Sequence, residues 1–141
     1  MNKQMQKGFT LVELMITVTI LAILSLIAYP SYDRFIRNTR LENVKGDLLD
    51  NAQRLELFYS QNRTFDRFNN LKNENKYFNI SFDYNDGKNP NKTEPPVGHY
   101  LLTAVPNANT NANENRSMSL DDDGIIKVCS GTGANQDCEM Y

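Results

Sequence analysis

From Phe9 to Tyr29 the chain runs for 21 residues with a single charge, Glu13. At ~1.5 Å rise per residue, a helix of about 20 apolar residues spans the ~30 Å core of a bilayer. The helical pattern continues without a strong stop to about Tyr59, interrupted only by Pro30. Proline inside a helix removes a backbone hydrogen bond and clashes with the preceding turn, so a bend is expected at Pro30. Beyond it, Leu41, Val44, Leu48, Ala52, Leu55 and Tyr59 recur at spacings of three and four, which makes one apolar face. Arg37, Lys45, Asp47, Arg54 and Glu56 mostly fall elsewhere, as on a solvated surface. The pattern predicts one helix about 75 Å long, its first half suited to lipid and its second half offering a stripe for a sheet to cover.

At Ser60 the character changes. Residues 60–76 carry few periodic apolar positions and many asparagines, and predict a long connection from helix to sheet. Residues 77–84 then alternate Phe78, Ile80, Phe82 and Tyr84 against Asn79, Ser81 and Asp83, the pattern of a half-buried strand. After a turn-rich loop (85–96), residues 99–105 predict a second strand, and an asparagine-rich surface loop follows at 106–116. Residues 117–120 and 124–129 predict two more strands, joined through Asp121 to Gly124. The tail, 130–141, has no periodicity. The expected class is α+β: one long helix, then four short antiparallel strands.

Composition narrows the possible functions. With 141 residues there is room for one domain beyond the apolar segment. The formal net charge of -2 gives no general attraction to nucleic acid or anionic lipid. Two cysteines, Cys129 and Cys138, suit one disulfide in an oxidising compartment. The alternatives are free thiols or a metal site with His99, the only histidine, and three ligands make a poor zinc set. No metal or cofactor is expected. The chain also lacks a nucleophile elbow and a phosphate-cradling glycine loop, so an enzyme is not expected.

Three accounts of the apolar run compete. A secretory signal would have a shorter apolar region and a small-residue cleavage site. A plain membrane anchor leaves Glu13 without a role, since an ionisable group inside such a segment points to function. The third account takes the residues as they stand: a short leader with Lys3 and Lys7, then Gly8-Phe9-Thr10-Leu11-Val12-Glu13. This arrangement resembles the type IV pilin family. The resemblance implies that a prepilin peptidase removes residues 1–8, cutting between Gly8 and Phe9, and that the new Phe9 amine is methylated. Removal of Lys3 and Lys7 would move the formal charge from -2 to -4. It also implies three segments: leader 1–8, a membrane or fibre-core half-helix 9–29, and a periplasmic, later extracellular, head 30–141. Glu13 would neutralise the Phe9 amine of a neighbouring subunit during assembly.

Further along, residues 28–32, 51–59 and 61–65 resemble the minor pilins of the PilE, PilV and ComP group, and residues 76–80 with the two cysteines are most similar to the PilV type. That group implies a curved N-terminal helix on a four-stranded antiparallel sheet, with a disulfide-closed C-terminal loop. It implies a minor subunit that tunes adhesion, motility, competence or pilus number. Expected partners are other pilin subunits, the peptidase and assembly machinery, and the inner membrane before assembly, with a host-cell receptor left open. DNA is a weaker candidate partner. Ser60 to Tyr141 holds eight basic and eleven acidic residues, a net of -3, and residues 60–92 reach only +2. The candidate partner-binding basic residues are Arg63, Arg67, Lys72, Lys76, Lys88 and Lys92. A secretion pseudopilin is the third alternative.

Smaller signals remain two-sided. Arg34, Arg37 and Arg40 stand three apart just past the apolar run, as a seat for acidic groups or as a solvated face. Asp121 to Gly124 suits a hairpin turn better than a calcium loop. Four Asn-x-Ser/Thr matches, at Asn62, Asn79, Asn91 and Asn115, are of the number that chance gives in so asparagine-rich a chain.

Overall fold

A computed structural model describes residues 8–85, 98–131 and 136–141. The chain forms two compact units, one through Asn38 and one from Thr39 to Tyr141. Helix α1 (Leu11–Asn62) passes through Pro30 without a break and ends one turn beyond the expected Tyr59. Arg63 closes it in the left-handed region (φ 57°), a conformation that ends many helices. The Ser60 hydroxyl donates to the Leu57 carbonyl (2.7 Å) and Asn62 Nδ2 to that of Phe58 (3.0 Å), satisfying groups the last turn leaves open.

In the second unit, five strands follow: β1 (Phe78–Tyr84), β2 (Tyr100–Pro106), β3 (Arg116–Asp121), β4 (Ile126–Ser130) and β5 (Asp137–Met140). They pair in chain order as an antiparallel meander. The fifth strand corrects the expected four-stranded sheet. Aperiodic sequence hid β5, because all four of its residues are exposed and no apolar alternation is demanded of them. Its place is held covalently: Cys129 and Cys138 are direct register partners and form a disulfide. The bridge closes a ten-residue loop, for which chain entropy gives about 2–3 kcal/mol. Cys129→Ser is expected to lower the head's stability by about that amount and to open β5 to protease. Urea denaturation and limited proteolysis check this; an unchanged midpoint with an uncut tail would contradict it.

The predicted helix stripe is the core face. Leu41, Val44, Leu48, Ala52 and Leu55 are buried against Phe78, Ile80, Tyr100, Leu102, Ala104, Met118 and Leu120 of the sheet. Tyr59 lies at the rim, stacked on Phe65 with ring centroids 4.7 Å apart. Phe65 itself is buried and also meets Tyr100 edge-on at 5.2 Å, so the connection 60–76 contributes to the core.

The asparagines of that connection are its internal scaffold. Asn51, on the buried face of α1, accepts from the Lys72 amide (2.7 Å) and donates to the Lys72 carbonyl (2.9 Å). Asn73 Oδ1 accepts from the Ile80 amide (2.8 Å), and Asn75 Oδ1 from the amides of Tyr77 (2.9 Å) and Phe78 (3.0 Å), which occupies the outer edge of β1. Asn51→Ala strips both partners from one backbone unit and is expected to cost about 1–3 kcal/mol. Thermal denaturation checks it, and a loss below about 0.5 kcal/mol would mean that water replaces the clamp.

Candidate functional site

The start of α1 is built by local hydrogen bonding. The Thr10 amide (3.0 Å) and hydroxyl (2.8 Å) both donate to Glu13 Oε2, and the Glu13 amide donates back to Thr10 Oγ1 (3.2 Å). This is a reciprocal capping box, with Thr10 as N-cap and Glu13 as third helical residue. It starts the helix at Leu11 rather than Phe9, and its signal, Thr10-x-x-Glu13, stands in the sequence beside the motif that drew attention to Glu13. The box aims the carboxylate back at the helix start. Gly8 and Phe9 lie just outside, exposed and non-helical, and a Cβ at Gly8 would meet nothing within 4 Å.

Behind the cap, α1 carries an 18-residue window of mean hydropathy 2.5, none of it buried within the chain. Thr17, Thr19 and Ser25 turn their hydroxyls onto carbonyls of the preceding turn, at 2.8, 2.7 and 2.7 Å. Such internal satisfaction lets a segment enter an apolar medium without unmet hydroxyls. The half-helix is therefore apolar in side chain and backbone, with Glu13 as its one charge.

Four of the six sequence-predicted basic residues, Arg63, Arg67, Lys72 and Lys76, lie among the described residues. Lys72 reaches Asp47 (3.5 Å) and Asp50 (3.6 Å), and the Lys76 ammonium lies 5.7 Å from the Tyr77 ring centroid. Arg63 and Arg67 are exposed, both with positive φ (57° and 64°). Lys88 and Lys92 lie outside the described residues. Of the arginine triplet, Arg40 is built into the head: it donates to Asn111 Oδ1 (2.9 Å) and its guanidinium sits 4.1 Å over Tyr77. Its cation therefore anchors the helix to the 107–111 segment.

Asp121 to Gly124 is a turn. The Gly124 amide donates to the Asp121 carbonyl (3.0 Å), Asp121 Oδ1 accepts from the Ile125 amide (2.8 Å), and Gly124 adopts φ 80°. One ion pair with a buried carboxylate leaves no mark in the sequence pattern. Glu114, buried, receives Arg116 Nε and Nη2 at 2.8 Å each, and this partnership raises the guanidinium's affinity for its proton. Two charged residues two positions apart, where a polar loop enters β3, give no periodic sign of burial.

Comparison with known proteins meets this geometry at both ends. Residues 3–29 match the prokaryotic N-terminal methylation motif. Residues 30–120 match the family described as type IV minor pilin ComP, DNA uptake sequence receptor. The chain belongs to the type IV minor pilin family. The pilin fold is also that of a solved relative, the non-core minor pilin PilV of Neisseria meningitidis. The two share 35% identity and a TM-score of 0.56, over 74% of this pilin and 94% of PilV. Curated relatives match over 29% to 36% of this pilin. A type IV major fimbrial protein FimA of Dichelobacter nodosus is 47% identical over 45 residues, 32% of this pilin and 29% of FimA. A type IV major alpha-pilin of Moraxella bovis is 49% identical over 43 residues, 30% of this pilin and 27% of that protein. This pilin thus spans 27% to 36% of the length of these curated relatives. The family and fold are structural ones rather than enzymatic ones.

Proposed function

We propose that this pilin is a minor subunit of a type IV pilus. Before assembly it is held in the inner membrane by residues 9–29 with its head in the periplasm, and afterwards it is carried on the extracellular fibre. The observation that carries this reading is the pairing of a wholly exposed apolar half-helix with a self-contained head. The head has its own core and disulfide, and so needs nothing from the half-helix to fold. An apolar helix of that kind has two places to hide from water, a bilayer and a bundle of like helices. A fibre subunit uses both in turn. Prepilin peptidase is the processing partner, acting at Gly8 and Phe9, and the other pilin subunits and the assembly machinery are the later ones.

The head would then tune what the fibre does, through adhesion, motility or competence, with a host-cell receptor among its possible partners. DNA reception receives less support. Two of the six candidate cations, Lys72 and Lys76, are already engaged within the head, and an electrostatic DNA site needs several free ones. The experiment is fractionation of cells carrying an epitope-tagged chain. The tag is expected in sheared pili at a small fraction of the major subunit, and in the membrane alone when the major subunit is deleted. A tag confined to the membrane in piliated cells would refute the fibre role.

A further inference from the structure

The helix covers one face of the sheet, and the other face holds a concavity of about 620 Å³ over β2, β3 and β4. Sites for small molecules commonly have volumes of roughly 300–1,000 Å³. Its floor follows from strand register. Thr103 pairs with Ser119, and Ser119 with Lys127, so two short hydroxyl side chains and an ammonium stand in one row across three strands. Their smallness makes the depression. Among the described residues, none of the three side chains has a protein hydrogen bond or ion pair, although Thr103 and Ser119 are half-buried.

The two ends of the concavity differ. At one, His99 Nδ1 stands 2.5 Å from Asp122 Oδ2, beside Asp121. At the other, Gln136 Nε2 donates to Ser117 Oγ (3.2 Å) next to the Cys129–Cys138 bridge. Leu101 and Ile125 supply apolar flanks.

From this arrangement we infer that the outer face of the sheet binds a neutral oligosaccharide, an inference that rests on the fibre role proposed above. The backbone of β2 to β4 is consumed by sheet pairing, so a ligand here must be held by side chains. Those on offer are unpaired hydroxyls, an amide and carboxylates, which match a ligand bearing many hydroxyls that both donate and accept. Leu101 and Ile125 suit the C–H faces of sugar rings. The charge excludes polyanions: three aspartates, 121 to 123, outnumber Lys127 along the groove. An extended peptide would seek a sheet edge rather than the middle of its face.

The test uses the full chain, purified in lauryldimethylamine oxide, a detergent without a sugar headgroup. It is applied to arrayed neutral, sialylated and sulfated oligosaccharides. The wild type is expected to bind neutral members, and Ser119→Phe, which fills the floor, to lose that binding at least about ten-fold. The gentler double variant Thr103→Val with Ser119→Ala removes only hydroxyls and is expected to weaken binding about 3- to 10-fold. It decides the matter if Ser119→Phe melts below the wild type. No neutral sugar bound, a preference for acidic ones, or unchanged binding by the double variant would each overturn the inference. A chain that binds no sugar but is recovered in sheared pili loses this inference alone. A chain absent from piliated fibres loses the fibre role as well.

Discussion

Glu13→Val is expected to leave leader cleavage and membrane insertion intact while lowering recovery in sheared pili about ten-fold or more. On the path proposed above, the apolar half of α1 would leave the bilayer for a helix-packed interior of low dielectric. A lone carboxylate there carries a desolvation penalty of several kcal/mol unless a positive group meets it, and each 1.4 kcal/mol is about ten-fold in an equilibrium. In the membrane the same group lies in the first turn of the helix and reaches the headgroups at little cost. A neighbour's Phe9 amine is the proposed counter-charge. The capping box raises a rival explanation, since Glu13→Val also removes the hydrogen bonds with Thr10. Glu13→Gln separates the two. Glutamine keeps a capping box but carries no charge. If the charge matters, Gln behaves as Val does, and Asp is milder than either. If Gln restores wild-type recovery, the box alone explains the residue and the pairing idea fails.

Gly8→Val is expected to abolish processing with no cost to the fold. A side chain at this position would meet nothing within 4 Å, and the head's core begins more than thirty residues later, at Leu41. Any intolerance must therefore come from the enzyme that cuts there. The variant should keep its first eight residues, remain in the membrane fraction, and show the wild-type melting temperature for the head. Intact mass and denaturation check the two halves separately. Normal cleavage of Gly8→Val would remove the assignment of this bond, and a lowered melting temperature would point to a structural role the geometry does not show.

How much of this was legible in the sequence varies along the chain. The helix and its buried stripe were, because Leu41, Val44, Leu48, Ala52 and Leu55 repeat at helical spacing and the core claims all of them. The first four strands were, within two residues, because apolar alternation survives where one face is covered. β5 was not: its residues bury nothing, and the bridge rather than hydrophobic pattern sets its register. Nor was the role of the asparagines. Asn73 and Asn75 read as loop composition and Asn51 as one more polar helix position, yet their side chains take the place of missing backbone partners, for Asn51 and Asn73 across 21 and 7 residues of chain. At the site, the motif announced Gly8, Phe9 and Glu13, and the Thr10 cap was legible but passed over. A count of basic residues over 60–92 takes no account of Asp47 and Asp50, which lie earlier in the chain and pair with Lys72.

If the apolar half-helix is kept and becomes part of a fibre, the processed chain must be present in pili. Intact-mass analysis of sheared, washed pili tests it most directly. Expected is a minor component whose chain starts at methylated Phe9 and retains the Cys129–Cys138 bridge. A chain in that fraction starting at Met1 or at Tyr29, or the chain's absence from pili while it accumulates in the membrane, would contradict it.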